Sequence, residues 1–305
     1  MIKPARLKIG DTIGIIAPSR PVDKKKVLAG IKKLESRGFK VKLGKNLYKK
    51  TYYSAGTAKE KAVDLNAMFK DKEVKAIICA AGGISATQIV DLIDYAAIKK
   101  NPKIFMGFSD IVVLLLAIYK KTGLVTFYGP NLHSFRRLEK NAENFLFDML
   151  TGKDSQYSLP TEMEIIKKGK AEGRLVGGNI HLSNSLLGTE YSPSYNKAIW
   201  FWEDLGENPA SLHQKLYRFK LSKNLDNISG MIIGHLSGCV DKVHKEDNRA
   251  IKEIILEVTK EYNFPIIKVP YFGHDVNNFY TFPIGVESII DTKTHKFIIK
   301  ESPVK

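Results

Sequence analysis

The sequence predicts an α/β protein of two domains: a parallel-sheet domain at the N-terminus and a smaller, mixed α/β domain behind it. Three observations carry this reading. Short β-rich apolar runs alternate with helically periodic segments through the first half of the chain, the pattern of strands joined by helical crossovers. Beyond about residue 135 that alternation breaks down into a polar, lysine-rich stretch. The chain has 305 residues, 44% of them apolar, enough to build two cores.

The elements follow in order. Residues 12–17 form an apolar run ending in Pro18-Ser19, as suits a buried strand. Val22, Val27, Leu28, Ile31 and Leu34 then recur at helical spacing until Gly38 stops the helix. Residues 39–43 read as the second strand and 57–70 as a helix with a stripe of Ala58, Ala62, Leu65, Met68 and Phe69. Val74 to Cys79 is the third strand, Ala86 to Leu92 a short helix, and Lys103 to Met106 the fourth strand. A helix from about Asp110 to Tyr119 and a fifth strand from Leu124 to Phe127 complete a domain of the flavodoxin or Rossmann kind. We place the boundary near residue 153, giving domains 1–153 and 154–305. The second has strand-like runs at 198–202, 229–233, 265–269, 286–290 and 296–299, and helical patterns at 179–187, 211–219 and 247–261.

Composition narrows the function. No run of about 18 apolar residues predicts a membrane span, and the charged start lacks a signal peptide's apolar core. Cys79 and Cys239 lie far apart beside apolar runs, as buried free thiols of a cytoplasmic protein would. The net charge of +16 raises a nucleic-acid role. The lysines, however, are spread over every predicted helix and arginines are few, so solubility explains the charge and no nucleic-acid partner is expected. No His-Glu-x-x-His, cysteine pair or close His/Asp cluster occurs, so neither metal nor cofactor is expected.

Phe105-Met106-Gly107-Phe108-Ser109-Asp110 follows a predicted strand and opens an apolar helix. A serine on so sharp a turn projects its hydroxyl from the sheet edge, with helix N–H groups behind it. The same pattern suits a plain helix N-cap. Gly82-Gly83, after the third strand, allows backbone amides to approach a ligand closely, or is simply a turn. A serine nucleophile needs a base and an orienting carboxylate. His274, in Gly273-His274-Asp275, and His235, in Gly234-His235-Leu236, each follow a strand beside a glycine; Glu203 and Asp204 both end the aromatic run Trp200-Phe201-Trp202. Local pattern does not choose among them.

These residues, in order, resemble the LD-carboxypeptidases and their relatives, the microcin C self-immunity peptidases. The likeness begins at Gly10-Asp11-Thr12-Ile13-Gly14-Ile15-Ile16-Ala17-Pro18-Ser19 and runs through Asp64-Leu65-Asn66-Ala67-Met68-Phe69, Gly82-Gly83 and Gly107-Phe108-Ser109-Asp110. It continues in Lys121-Thr122-Gly123-Leu124-Val125-Thr126-Phe127-Tyr128-Gly129-Pro130, Gly173-Arg174-Leu175-Val176-Gly177-Gly178-Asn179, Glu203-Asp204, Gly273-His274-Asp275 and Phe282-Pro283-Ile284-Gly285. The resemblance implies a metal-independent serine peptidase, often a homodimer, with Ser109 as nucleophile on the N-terminal domain. Glu203 and His274, on the C-terminal domain, would be the orienting acid and the base. Backbone N–H groups of Asp110, Gly82 and Gly83 would meet the oxyanion. The implied substrate is an L,D-linked murein tetrapeptide; the alternatives are a peptidyl or aminoacyl nucleotide amide, or a non-catalytic ligand-binding role on the same fold. Murein-recycling members usually carry Arg-Gly-Gly-Tyr-Gly at the glycine turn. The present Ala81-Gly82-Gly83-Ile84-Ser85 looks more like the microcin-immunity branch.

Overall fold

The computed structural model describes all 305 residues. The first part of the chain lays down β1 (Thr12–Ile16), α1 (Lys24–Ser36), β2 (Lys40–Leu43), α2 (Ala58–Lys70), β3 (Val74–Cys79), α3 (Tyr95–Lys100), β4 (Ile104–Gly107), α4 (Val112–Thr122), β5 (Thr126–Tyr128) and α5 (Lys140–Thr151). Then come β6 (Tyr157–Ser158), β7 (Glu164–Lys167), β8 (Lys170–Asn179), α6 (Ile180–Ser185), β9 (Ala198–Leu205), α7 (Pro209–Leu221), β10 (Gly230–Ser237), α8 (Ile251–Val258), β11 (Ile266–Lys268), β12 (Phe282–Ile284), β13 (Glu287–Asp291) and β14 (Lys296–Ile299).

The chain forms two compact units. The first comprises Met1–Ser155, to which Asn277–Gly285 and Ser302–Lys305 return; the second comprises Gln156–Val276 and Val286–Glu301. In the first unit the sheet order is β12-β5-β4-β3-β1-β2. Strands β1 to β5 are mutually parallel, and β12 is antiparallel on β5. The β2-β1-β3-β4-β5 core is the flavodoxin-like order, whose direction reverses between β1 and β3. Open sheets of this kind bind ligands in the crevice beyond the carboxyl ends of their strands at that reversal. Ser19 follows β1 there and Gly82 follows β3.

Local chemistry explains the elements. Strand β4 is buried along its length, as a central parallel strand covered on both faces must be. Helix α2 starts with a capping box between Thr57 and Glu60, which satisfies orphan N–H groups. Helix α4 begins Val-Val-Leu-Leu-Leu-Ala-Ile, and those seven residues are all buried, as an apolar helical stretch inside a core should be. The segment Ala86–Leu92 is 3-10 rather than α-helical. Helix α5 was not expected in the polar stretch, yet Ala142, Leu146, Phe147, Met149 and Leu150 are buried.

In the second unit an eight-stranded sheet runs β6-β14-β13-β8-β9-β10-β11-β7. Its centre, β8-β9-β10-β11, is parallel, and its flanks are antiparallel. Strand β9 is buried from Ala198 to Asp204, and Trp200 stacks on Phe219 of α7 at 3.8 Å between ring centroids. The register sets Asn179 of β8 beside Glu203, and Asp204 beside Leu236 of β10. Two acids and an amide therefore meet at the carboxyl ends of neighbouring parallel strands.

Candidate active site

In the first unit, β4 ends at Gly107 and the chain turns at Ser109, which has φ 62°. A non-glycine residue in the left-handed region carries strain of roughly 1–3 kcal/mol and clusters at functional turns. The position flanking the following 3-10 turn is Phe108, and it makes no side-chain cap. Ser109 is therefore not a helix N-cap; it occupies a strained turn between strand and helix. Asn131 clamps the preceding residue: its Oδ1 accepts the Phe108 N–H at 3.2 Å, and its Nδ2 donates to the Phe108 carbonyl at 3.4 Å. The turn after β3 presses on the serine, since a Cβ at Gly82 would lie 2.8 Å from Ser109 Cβ and 3.0 Å from Oγ.

Behind the serine, Asp110 is fully buried. Its Oδ2 accepts the Ala86 N–H at 2.7 Å and the Ser19 hydroxyl. Lys61 is buried too; its ammonium donates to Ser54 Oγ at 2.9 Å, to Ser85 O at 2.8 Å and to Ser85 Oγ at 2.9 Å. Burial pulls Lys61 down to about 8, against the upward pull of the Asp110 charge.

In the second unit, Glu203 Oε2 lies 2.7 Å from Nδ1 of His274 and accepts its backbone N–H at 3.3 Å. Glu203 is wholly buried, and the His274 side chain is 14% exposed. Gly273, at φ 121°, allows this approach: a Cβ there would fall 3.2 Å from Glu203 Oε2 in a conformation that L residues avoid. Burial depresses the His274 imidazole, but the Glu203 hydrogen bond and charge, with Asp204 and Asp275, outweigh it and hold the group above its ordinary value. Asn179 Nδ2 ties the two acids together, donating to Glu203 Oε1 at 3.2 Å and to Asp204 Oδ1 at 2.9 Å.

Asp204 is in a different situation from its neighbour. Burial raises its carboxyl to about 6, although the Leu205 N–H, Asn179 and Lys215 pull the other way. A folded-state value above the unfolded one means that stability falls as pH rises between about 3.8 and 6. Asp204→Asn should therefore raise the melting temperature at pH 8, by a free energy of at most about 3 kcal/mol. A lower melting temperature than wild type at pH 8 would show that the attraction of Lys215, 3.8 Å away, outweighs the cost of burial.

Other histidines fall elsewhere. His235 sits on β10, its N–H bonded to the Phe272 carbonyl at 2.9 Å, and it has no carboxylate partner. His181, His213 and His244 face carboxylates that are themselves part-exposed or exposed. Burial, with Arg20 and Lys26, drives His133 down to about 4. The two cysteines are free and buried, and no group of three metal-ligating side chains converges. Thus Ser109, Asp110 and Gly82 gather in one unit, with Gly83 against Ser19, and Glu203 and His274 gather in the other. Sequence reasoning did not single out Asn179, Asn131 or Lys61. The first two stand inside or beside quoted motifs, Gly177-Gly178-Asn179 and Gly129-Pro130; Lys61 had no mark to separate it from a surface lysine.

The LD-carboxypeptidase N-terminal domain matches residues 13–129, and the LD-carboxypeptidase C-terminal domain matches residues 172–290. The chain belongs to the LD-carboxypeptidase family. This LD-carboxypeptidase family member is accordingly a peptidase. It is 34% identical to a probable murein peptide carboxypeptidase of Bacillus subtilis, over 98% of this chain and 94% of that protein. It is 32% identical to the microcin C7 self-immunity protein MccF of Escherichia coli, over 97% and 95%. Its fold is similar to that of MccF in complex with glutamyl sulfamoyl guanosine, with a TM-score of 0.89 at 28% identity, over the whole of both chains. No helix of this family member is long and apolar enough to cross a membrane.

Proposed function

We propose that this LD-carboxypeptidase removes the terminal D-amino acid from an L,D-linked murein peptide through a triad of Ser109, His274 and Glu203 contributed by the two domains. The observation that carries the reading is the buried Glu203 carboxylate on Nδ1 of His274. It fixes the proton on Nδ1 and leaves Nε2 as the accepting nitrogen. His274 takes the Ser109 proton, and the alkoxide attacks the amide carbonyl. The C–N bond breaks as the amine recovers that proton. Water, deprotonated by His274, then releases the acyl group. Backbone N–H groups of Asp110 and the Gly82-Gly83 turn receive the oxyanion, each worth about 3–4 kcal/mol.

A second reading has its own support. The glycine turn lacks the arginine and tyrosine common in murein-recycling members, and a similar solved structure holds an aminoacyl sulfamoyl nucleoside. On that reading the leaving group is a nucleotide amide. Release of D-alanine from a murein tetrapeptide, set against cleavage of an aminoacyl-sulfamoyl nucleotide, separates the two. Failure on both substrates, with Ser109 inert to a fluorophosphonate, would leave a ligand-binding protein on this fold. Excess EDTA should leave turnover unchanged, and loss of activity would bring a metal back into the mechanism. Action in the cytoplasm on peptidoglycan fragments, as a homodimer, is part of the same proposal; light scattering tests the dimer.

A further inference from the structure

The nucleophile and the glycine turn come from different loops, after β4 and β3, and something must fix the gap between them. An oxyanion donor works only when held about 3 Å from where the charge develops. The polar groups packed behind both loops do this. Asp110, next to the nucleophile, reaches across to the Ala86 N–H at 2.7 Å and to the Ser19 hydroxyl. Ser19 in turn lies against Gly83: a Cβ at Gly83 would collide with its Oγ. From the far side, Lys61 grips the carbonyl and hydroxyl of Ser85, and Ser85 Oγ donates to the Ser19 carbonyl at 2.9 Å. The segment from Gly82 to Ala86 is therefore held at Ala86 by Asp110 and at Ser85 by Lys61.

Burying a lysine and an aspartate in one domain costs several kcal/mol unless each is compensated. A helix α2 facing only a core would do better with Leu or Met at position 61. Lys61 answers two needs: it satisfies the polar turn and sets a positive charge opposite Asp110. Its role differs from that of Lys103, another buried lysine of this unit, whose ammonium merely caps the end of α2 through the Met68 and Asp71 carbonyls.

We propose that the buried Lys61–Ser85–Ser19–Asp110 network is a positioning device that sets the Gly82-Gly83 turn against the nucleophile, with Lys61 a positioning residue for oxyanion stabilisation. This rests on the reading of Ser109 as the nucleophile. A fluorophosphonate tests both, because Ser109 Oγ displaces fluoride from phosphorus and the phosphoryl oxygen enters the oxyanion site whatever the natural substrate. In Lys61→Met the maximal labelling rate should fall about 100-fold, the cost of an ångström-scale misplacement, with half-saturating probe concentration unchanged. Ser19→Ala, a one-atom deletion, should slow labelling in the same way and guards against failure of Lys61→Met to fold. Lys103→Met should lose thermal stability but label at the wild-type rate. Folded Lys61→Met or Ser19→Ala labelling as fast as wild type would overturn the positioning role while leaving Ser109 as nucleophile. Wild-type protein that takes no label on Ser109 would overturn both.

Discussion

Replacing Ser109 by alanine is expected to lower kcat about 10⁵-fold, as loss of the nucleophile does when it acts as one unit with its base, with the fold left intact. The second half of that expectation comes from the backbone. Alanine keeps the Cβ that packs on Gly82 and keeps the left-handed φ of 62°, so the packing of the turn and its backbone strain are retained. Ser109→Gly separates the two effects further. Glycine relieves strain of about 1–2 kcal/mol but adds unfolded-state freedom worth about 0.4–1 kcal/mol, so the inactive glycine variant should be the slightly more stable of the two. Circular dichroism melts and product assays on the same samples check this. An alanine variant that turns over substrate normally removes Ser109 from the chemistry.

Glu203→Gln should cost about 10⁴ in kcat, the scale seen when a triad acid is made neutral without changing its shape. The sign of the accompanying pH shift is fixed. Neutral His274 is the base, so activity is lost as pH falls through the His274 value, which Glu203 holds above the ordinary one against burial. Without the Glu203 charge, burial prevails and the acid limb of kcat/KM moves to lower pH, even as the rate drops. Asp204→Asn should show neither effect to a similar extent, because its carboxylate faces Asn179, the Leu205 N–H and Lys215 instead. Equal losses from the two substitutions would mean that the orienting acid is misassigned. An acid limb unmoved in Glu203→Gln would assign that limb to another group.

Much of the first sheet was legible because each parallel strand is a short apolar run bounded by a turn residue. Val74 to Cys79 reads the same in sequence and structure. Helix α5 was obscured by its polar face, Lys140, Asn141, Asn144 and Asp148, which hid the buried stripe of Leu146, Phe147 and Leu150. Strand β8 was obscured by glycines at 173, 177 and 178 and by Lys170, Glu172 and Arg174 on its exposed side, although burial alternates through its first half. At the site, local pattern left Ser109 between nucleophile and cap, and Glu203 beside Asp204. Those ambiguities were physical: the partner of Glu203 lies 71 residues further along the chain, and no local spacing reports such a contact. A buried lysine is harder still, since Lys61 sits in a helix among Lys59 and Glu60 and differs from them only by where tertiary packing turns it.

Strand β12 has a consequence for how the protein is made. It pairs with β5 through Phe282–Tyr128 and Ile284–Thr126, and carries Pro283 between them. Proline at a sheet margin withholds an N–H and discourages further strands from adding there. The ribosome delivers β5 long before residue 282, so for about half of translation the first sheet presents an apolar, unprotected edge. A fragment ending at residue 153 would keep that edge permanently and would be prone to self-association, and supplying residues 277–285 as a separate peptide should suppress it.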